Sequence, residues 1–245
     1  MKQKRIRTKY EIRSGKIREA LTFAVAPDLH SGPFEDVLED VFRCDAVLLP
    51  GDLVDRQRRN NALAERFLNV VPEKVPVFYS LGNHEKKFDD AEGWLRWVRE
   101  ETKACLLDDE SVLFRGIRLG GLTSWDRGST DRDFLDRFER EDGFRLLLCH
   151  HPEMYRDEVR GRDIDLTLSG HAHGGQIQIR GRGLYAPGQG LFPKLTHGTH
   201  DGGKLIVSRG MTNAAKPRFP RFGNPCELII LRLMPEKREE NTNDE

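Results

Sequence analysis

The feature that most constrains the fold is a series of short apolar runs, each of which ends in glycine, aspartate or histidine. The run at residues 47–49 breaks at Pro50 and Gly51, and Asp52 and Asp55 follow directly. A short apolar run bounded by turn residues predicts a buried strand. Open α/β sheets bind their ligands beyond the carboxyl ends of such strands. The chain is therefore expected to gather its functional groups along one edge of a sheet.

The spacing of apolar residues between these runs predicts the fold class. Helical spacing covers residues 34–42, residues 62–71 and the segment around Trp94 and Trp97, whereas residues 112–122 alternate around Gly116 like a hairpin. Strands that alternate with helices indicate parallel strands, and the second half of the chain is richer in strands. We therefore predict a layered α/β-β/α sandwich of two mixed sheets flanked by helices. It forms a single domain over residues 1–234, with a long glycine-rich loop at 181–203 and a disordered charged tail at 235–245.

Composition limits the partners and the location. The chain has 40 basic and 40 acidic residues, so no overall charge attracts it to nucleic acid, and stable nucleic-acid binding is not expected. No apolar run approaches the roughly 20 residues of a transmembrane helix, so we predict no such segment and a cytoplasmic location. The basic segment at residues 2–18 is interpreted as a solvated arm or an edge strand. That segment and the tip Leu191-Phe192-Pro193 are the two hints of weak peripheral membrane contact.

The side chains that follow the apolar runs are carboxylates, imidazoles and an amide, with no thiolate among them. This donor set suits hard to borderline divalent ions such as Mn²⁺, Fe²⁺ or Zn²⁺. A catalytic zinc ion takes three protein ligands and a water, so the set exceeds what one ion needs and would serve two ions that share a carboxylate. Paired metals are the usual device for a displacement at phosphorus. The residues are Asp28, His30, Asp52, Asn83, His84, His150, His171 and His173.

These residues belong to motifs that resemble those of the calcineurin-like metallophosphoesterase superfamily. The motifs are Asp-Leu-His at 28–30, Gly-Asp-Leu-Val-Asp at 51–55, Gly-Asn-His-Glu at 82–85, His150, and Gly-His-Ala-His at 170–173. They occur in the family's order over nearly the whole chain. The continuation Gly-Gly-Gln at 174–176 and the run Tyr-Ala-Pro-Gly-Gln-Gly at 185–190 resemble one bacterial subgroup. That subgroup includes phosphodiesterases and enzymes that cleave UDP-2,3-diacylglucosamine.

The resemblance implies two divalent metal ions, with manganese favoured and iron or zinc as alternatives. It assigns one ion to Asp28, His30, Asp52 and His173, and the other to Asp52, Asn83, His150 and His171. A water or hydroxide shared by the two ions would attack phosphorus. His84 would be the general acid, oriented by Asp55. His151 remains the alternative to His150 as a ligand.

The expected function is hydrolysis of a phosphodiester or pyrophosphate bond in a small substrate, such as a nucleotide or lipid-nucleotide diester. The alternatives are a phosphomonoesterase or protein phosphatase, and a scaffold without catalysis. Arg56, Arg58 and Arg59 are interpreted either as a solvated helix start or as a positive rim for an anionic substrate. Arg209 and Arg218 are further candidates to reach a phosphate. The sequence makes no prediction about the oligomeric state.

Overall fold

The computed structural model describes residues 5–123, 130–214 and 220–236. One six-stranded sheet contains β1 (Ile6–Ser14), β2 (Leu21–Val25), β3 (Ala46–Pro50), β4 (Val77–Ser80), β5 (Cys105–Leu107) and β16 (Glu227–Pro235). The second contains β6 (Glu110–Phe114), β7 (Ile117–Leu122), β8 (Phe144–Cys149), β9 (Leu166–Ser169), β14 (Gly198–His200) and β15 (Leu205–Val207). Two small hairpins pair β10 (Gln178–Ile179) with β11 (Arg182–Gly183) and β12 (Tyr185–Ala186) with β13 (Gly190–Leu191).

The helices are short. They are α1 (Leu38–Val41), α2 (Ala62–Val70), α3 (Asn83–Lys86), α4 (Ala91–Glu101), α5 (Arg132–Phe138) and α6 (Pro152–Met154), with a π-helical turn at Tyr155–Val159 and 3-10 turns at Glu35–Val37, His173–Gly175 and Asp201–Gly203. Among the helices in the described ranges, none combines the length with the apolar composition that a membrane crossing requires.

Both sheets are mixed, as predicted. The first has the order β1-β16-β2-β3-β4-β5, in which β2 to β5 are parallel and β16 is antiparallel to β2. The second has the order β14-β15-β9-β8-β7-β6, in which the four strands β15, β9, β8 and β7 are parallel and both edge strands are antiparallel. The predicted fold class is confirmed.

The core has three parts, which follow from the alternation of side chains along each strand. In β3, Val47 and Leu49 pack on the helical side of the first sheet, whereas Leu48 faces the second sheet. Phe134 and Phe138 of α5 cover the outer face of the second sheet. The layers are therefore helix, sheet, sheet and helix, and each buried large apolar side chain contributes about 1.5–3 kcal/mol.

Three local expectations need correction or completion. The sequence also predicts a strand over residues 176–180, but only Gln178 and Ile179 pair, in β10. Residues 181–203 are not one open loop, since strands β11 to β14 lie within them. Strand β16 continues through Pro235, and residues 237–245 of the predicted tail lie outside the described residues. The basic N-terminal segment does form an edge strand, β1, paired with β16.

The parallel strands place five loops at one edge of the sandwich. Loops after β2, β3 and β4 leave the first sheet, and loops after β8 and β9 leave the second. The two sheets are joined at this edge because the backbone N–H of His171 donates to both carboxylate oxygens of Asp28, each at 3.1 Å. Within the second sheet, the N–H of Gly170 after β9 donates to the carbonyl of His150 after β8 at 3.0 Å.

Candidate metal centre

All seven predicted metal ligands and His84 lie in these five loops, and each is buried with at most 9% of its surface exposed. The loops after β2 and β3 run side by side, since Asp28 N–H donates to Gly51 O at 3.1 Å and His30 N–H to Asp52 O at 3.0 Å. Gly51 and Gly82 permit this close approach. A Cβ at Gly82 would lie 2.3 Å from Asp52 Oδ1, and one at Gly51 would lie 2.6 Å from His150 Nδ1.

The backbone of this site is strained. Five of the seven predicted ligands have a positive φ angle, a region that residues other than glycine seldom occupy. Such residues cost about 1–3 kcal/mol each and cluster at functional sites, where the surrounding structure holds them in place. They are Asp28 (57°), His30 (48°), Asp52 (55°), His171 (64°) and His173 (46°).

Asp28, His30 and His173 form the first group of donors. The Nε2 atoms of the two histidines lie 3.2 Å apart, and Asp28 Oδ1 lies 3.7 and 3.6 Å from them. Two donors to one ion with bonds of about 2.1 Å would be about 3.0–3.4 Å apart, so the pair of nitrogens has the spacing that a shared cation needs. Burial alone would raise the pKa of Asp28, but His173 and His30 outweigh it and lower the pKa to about 2.

Asp52 and His150 form the second group. Asp52 Oδ2 lies 3.1 Å from His150 Nε2 and 3.9 Å from His30 Nε2, so this carboxylate lies between the two groups. His150 Nδ1–H donates to the carbonyl of Pro50 at 2.8 Å, which leaves the lone pair of the neutral ring on Nε2. Despite this short distance, Nε2 makes no hydrogen bond of acceptable geometry within the described residues.

Asn83 supplies a third candidate metal-binding donor to the second group, beside Asp52 and His150. It begins α3, and its side-chain oxygen Oδ1 is buried without a hydrogen-bond partner in the part of the chain that the structure describes. An unsatisfied buried polar atom costs free energy. Asn83 Oδ1 and His150 Nε2 would both be satisfied by a cation, so these residues fit a divalent metal ion.

His171 lies beside both members of the His150-His151 pair. Its ring centroid is 5.1 Å from that of His150 and 4.1 Å from that of His151. Donor atoms of these three histidines lie within 4.8 Å of one another, but only His150 also belongs to a group with Asp28 and Asp52. The structure therefore favours His150 as the residue that connects His171 to the shared carboxylate.

Glu85 holds the Asp52 loop in place. Its buried carboxylate accepts backbone N–H bonds from Asp52 at 2.9 Å, Leu53 at 2.7 Å, Val54 at 3.2 Å and Gly82 at 2.8 Å, and a bond from the Tyr79 hydroxyl at 2.8 Å. The sequence analysis gave Glu85 no role. The one indication of such a role in the sequence is that Glu85 directly follows the predicted general acid His84.

His84 lies where it can hold a proton next to the donor groups. Its ring centroid is 4.5 Å from that of His30, and its Nδ1 lies 3.4 Å from Asp55 Oδ1 and 3.2 Å from the backbone nitrogen of Arg56. Neutral His84 can accept from Arg56 N–H, and protonated His84 can donate to Asp55. Burial alone would lower the pKa of His84, but the carboxylates of Asp52, Asp55 and Glu85 outweigh it and raise the pKa.

Arg221 is a site residue that the sequence analysis missed. Its Nη2 donates to the carbonyls of Arg209 at 2.6 Å and Thr212 at 2.9 Å, and lies 3.1 Å from His173 Nδ1. Its Nη1 is buried and has no hydrogen-bond partner among residues 5–123, 130–214 and 220–236. The contact favours a proton on Nε2 of neutral His173, so His173 must change tautomer to offer Nε2 to a metal.

The other predicted arginines have different positions. Arg58 Nε donates to the carbonyl of His30 at 2.9 Å, and Arg209 Nη1 donates to Gln178 Oε1 at 2.8 Å. The side chains of Arg56 and Arg59 are exposed beside the same loop. Arg218 lies outside the described residues.

Comparison with known proteins identifies the family of the chain. Residues 21–175 match the family described as Calcineurin-like phosphoesterase, and the chain belongs to that family. It is 28% identical over 241 residues to an uncharacterized metallophosphoesterase of Helicobacter pylori (strain ATCC 700392 / 26695). This alignment covers 91% of this chain and 62% of that protein. It is 28% identical over 229 residues to the uncharacterized protein YpbG of Bacillus subtilis (strain 168), which covers 89% of this chain and 83% of that one.

Among solved structures, the chain is similar to that of Haemophilus influenzae NAD nucleotidase (NadN), with a TM-score of 0.43 and 16% identity. The likeness covers 87% of this chain and 45% of that one. The predicted superfamily is confirmed, and the predicted subgroup stays a prediction. Family membership and the buried His and Asp clusters support the predicted class of enzyme, a metal-dependent hydrolase of phosphoric ester bonds.

Proposed function

We propose that the chain is a dinuclear metal-dependent phosphoesterase that cleaves a phosphodiester or pyrophosphate bond. The observation that carries the proposal is the buried Asp52 carboxylate, which lies between two groups of imidazole and carboxylate donors, one with His30 and one with His150. Asp28, His30, Asp52 and His173 would hold one ion, and Asp52, Asn83, His150 and His171 the other. Bound divalent ions would lower the pKa of a coordinated water and neutralise charge on the phosphoryl oxygens.

The protein's own groups would then bind and protonate the substrate. His84 would donate a proton to the leaving oxygen, and Asp55 would hold the ring and stabilise its charged form. The guanidinium of Arg221 adds a fixed positive charge beside His173, which attracts the anionic phosphate. Glu85 keeps Asp52 in position through its bonds to the loop backbone.

A cavity close to Glu153, with none of the predicted ligands in its lining, would accept a substrate group that extends beyond the scissile phosphate. It has a volume of about 620 Å³ and is lined by basic, aromatic and apolar residues, among them Arg156, Arg160, Phe192 and Lys194. Gly188 also lines the cavity and packs closely against Glu153, since a Cβ at Gly188 would lie 1.9 Å from Glu153 Oε1. The same oxygen of Glu153 lies 3.7 Å from His171 Nε2. A diester or pyrophosphate has a second group to fill this space, whereas a simple phosphate monoester need not. The cytoplasmic location stays a prediction.

The proposal is tested by metal analysis together with turnover of two model substrates. The chain, loaded with Mn²⁺ and desalted, should retain about two ions and cleave bis-p-nitrophenyl phosphate faster than p-nitrophenyl phosphate. Asp52→Asn should lose metal and turnover, whereas the control Asp142→Asn, an exposed residue just before β8 at the opposite edge, should retain both. A monoester preference would indicate a phosphomonoesterase. No turnover with Mn²⁺, Fe²⁺ or Zn²⁺ would contradict the enzyme proposal.

The role of His84 is tested separately. His84→Ala should keep the metal content of the parent chain and slow most the cleavage of esters with poor leaving groups, because these need the proton. Loss of metal from His84→Ala would instead make His84 a ligand, which its proximity to His30 and Asp52 would explain.

A further inference from the structure

The charges of this chain are unevenly distributed along its length. Residues 166–226 contain eight lysines and arginines but one acidic residue, Asp201, although the whole chain has equal numbers of both. Within this stretch Arg180, Arg182 and Lys194 are exposed. None of the three takes part in an ion pair among the described residues. The net charge of zero therefore hides a strongly basic region.

The most exposed large apolar side chains of the described residues lie in the same region. They are Phe192 (76%), Phe222 (71%), Leu191 (65%) and Ile179 (63%). Exposing such side chains to water is unfavourable, and neighbouring exposed apolar residues usually mark a contact surface.

Backbone hydrogen bonds join the segments that carry these side chains into one layer. Gln178 N–H donates to Phe222 O at 2.8 Å, Leu184 N–H to Ile177 O at 2.8 Å, and Phe192 N–H to Leu184 O at 2.9 Å. We call this layer, residues 177–194 and 220–223, the basic rim. Exposed cations and exposed apolar groups thus belong to one hydrogen-bonded layer.

The basic rim borders the candidate metal centre. It begins four residues after His173. Arg221, next to Phe222, contacts His173, and Gly188 contacts Glu153 beside His171. The rim therefore includes or contacts residues that lie beside two predicted ligands, His171 and His173.

We propose that the basic rim docks the protein onto an anionic lipid bilayer. Apolar side chains interspersed with cations, with no acidic residue in residues 177–194 and 220–223 themselves, are the pattern of interfacial membrane binding, in which apolar groups enter the headgroup region and cations attract anionic lipids. A nucleic acid would also attract the cations, but Ile179 and Leu191 offer no ring on which bases stack. A protein partner would bury a more contiguous apolar patch with fewer charges at its centre. The bilayer fits both features of the rim.

The test is sedimentation of the full chain with vesicles of phosphatidylcholine alone or with about one-third phosphatidylserine. Binding should require phosphatidylserine. The pair Arg180→Gln and Arg182→Gln should weaken it roughly 25-fold, at about fivefold for each cation near an anionic surface. The pair Ile179→Ser and Phe222→Ser should weaken it at least tenfold, because both lose buried apolar area.

Matched control pairs separate the rim from general surface effects. Arg137→Gln with Arg140→Gln removes the same charge from exposed positions in or just after α5, and Leu113→Ser with Phe42→Ser removes exposed apolar groups (55% and 41%) elsewhere. Both control pairs should bind vesicles like the parent chain. Equal losses in rim and control pairs, or no binding of the parent to anionic vesicles, would overturn the proposal. So would binding of single-stranded oligonucleotides through Arg180 and Arg182 without vesicle binding.

The result does not depend on catalysis. Vesicle binding is measured without turnover, and the two rim pairs should hydrolyse bis-p-nitrophenyl phosphate in solution at the parent rate because their side chains lie outside the centre and the cavity. If the parent chain binds anionic vesicles but shows no hydrolysis, the docking proposal stands and the proposed function fails.

Discussion

Replacing Glu85 by glutamine should destabilise the protein more than its small change in shape suggests. The buried carboxylate accepts five hydrogen bonds, with Oε2 taking Asp52 and Gly82 and Oε1 taking the other three. Glutamine keeps one oxygen, and its NH₂ group would face at least two donors. Each buried N–H without an acceptor costs about 1–3 kcal/mol, so Glu85→Gln should lose about 2–6 kcal/mol of unfolding free energy. Many domains have only about 5–15 kcal/mol in total.

Urea denaturation of the metal-free chain measures this loss, which should lower the midpoint while the slope is unchanged. The control Glu100→Gln, exposed on α4, should stay within about 0.5 kcal/mol of the parent. Glu85→Gln should also weaken Mn²⁺ binding, because Asp52 would lose its support. A loss below about 1 kcal/mol would show that the donors find other acceptors and would refute the reasoning.

Three further predictions concern charge. Burial raises the pKa of Asp109 to about 6. The contribution of Asp109 to stability should therefore be greatest below the pKa of this carboxyl in the unfolded chain and fall as the pH rises toward 6. Asp109→Asn should add about 1 kcal/mol to the free energy of unfolding at pH 7.5 and nothing at pH 3.5, measured by urea denaturation at both pH values. Arg221→Gln should lower kcat/KM for bis-p-nitrophenyl phosphate about 10–100-fold while metal content is retained, whereas Arg96→Gln on α4 should match the parent. In the metal-free chain, Asp52 outweighs the effect of burial and raises the pKa of His150 to about 10, so Mn²⁺ must displace the proton of His150. The affinity for Mn²⁺ should therefore rise about tenfold per pH unit between pH 7 and 9. Titration calorimetry in two buffers should detect the released proton. Metal binding without proton release would contradict the assignment of His150.

Much of the fold could be predicted because it follows from local periodicity. The apolar runs that become β3 and β8 are continuous, and the helical spacing of α2 is regular, so each element is specified by its own residues. The parallel arrangement then brings the ends of those strands to one edge. That is why motifs as far apart as Asp28 and His171 could be expected to meet.

The features that the sequence did not reveal depend on contacts between distant residues or on backbone conformation. Glu85 acts on a loop more than 30 residues away, and Arg221 contacts His173 across 48 positions. No periodic pattern encodes either contact. Hairpins such as that of β10 and β11 have two-residue strands, which are too short for alternation to be recognised. Overall net charge also concealed the basic region of residues 166–226.

The left-handed backbone at five predicted ligands sets a trade-off between activity and durability. Each of these positions lowers the stability of the folded chain by about 1–3 kcal/mol, and metal binding would offset this loss. Selection for folding alone would replace them with glycine or asparagine, which tolerate that conformation. A descendant freed from catalysis should therefore drift toward higher thermal stability at Asp28, His30, Asp52, His171 and His173 before its core changes.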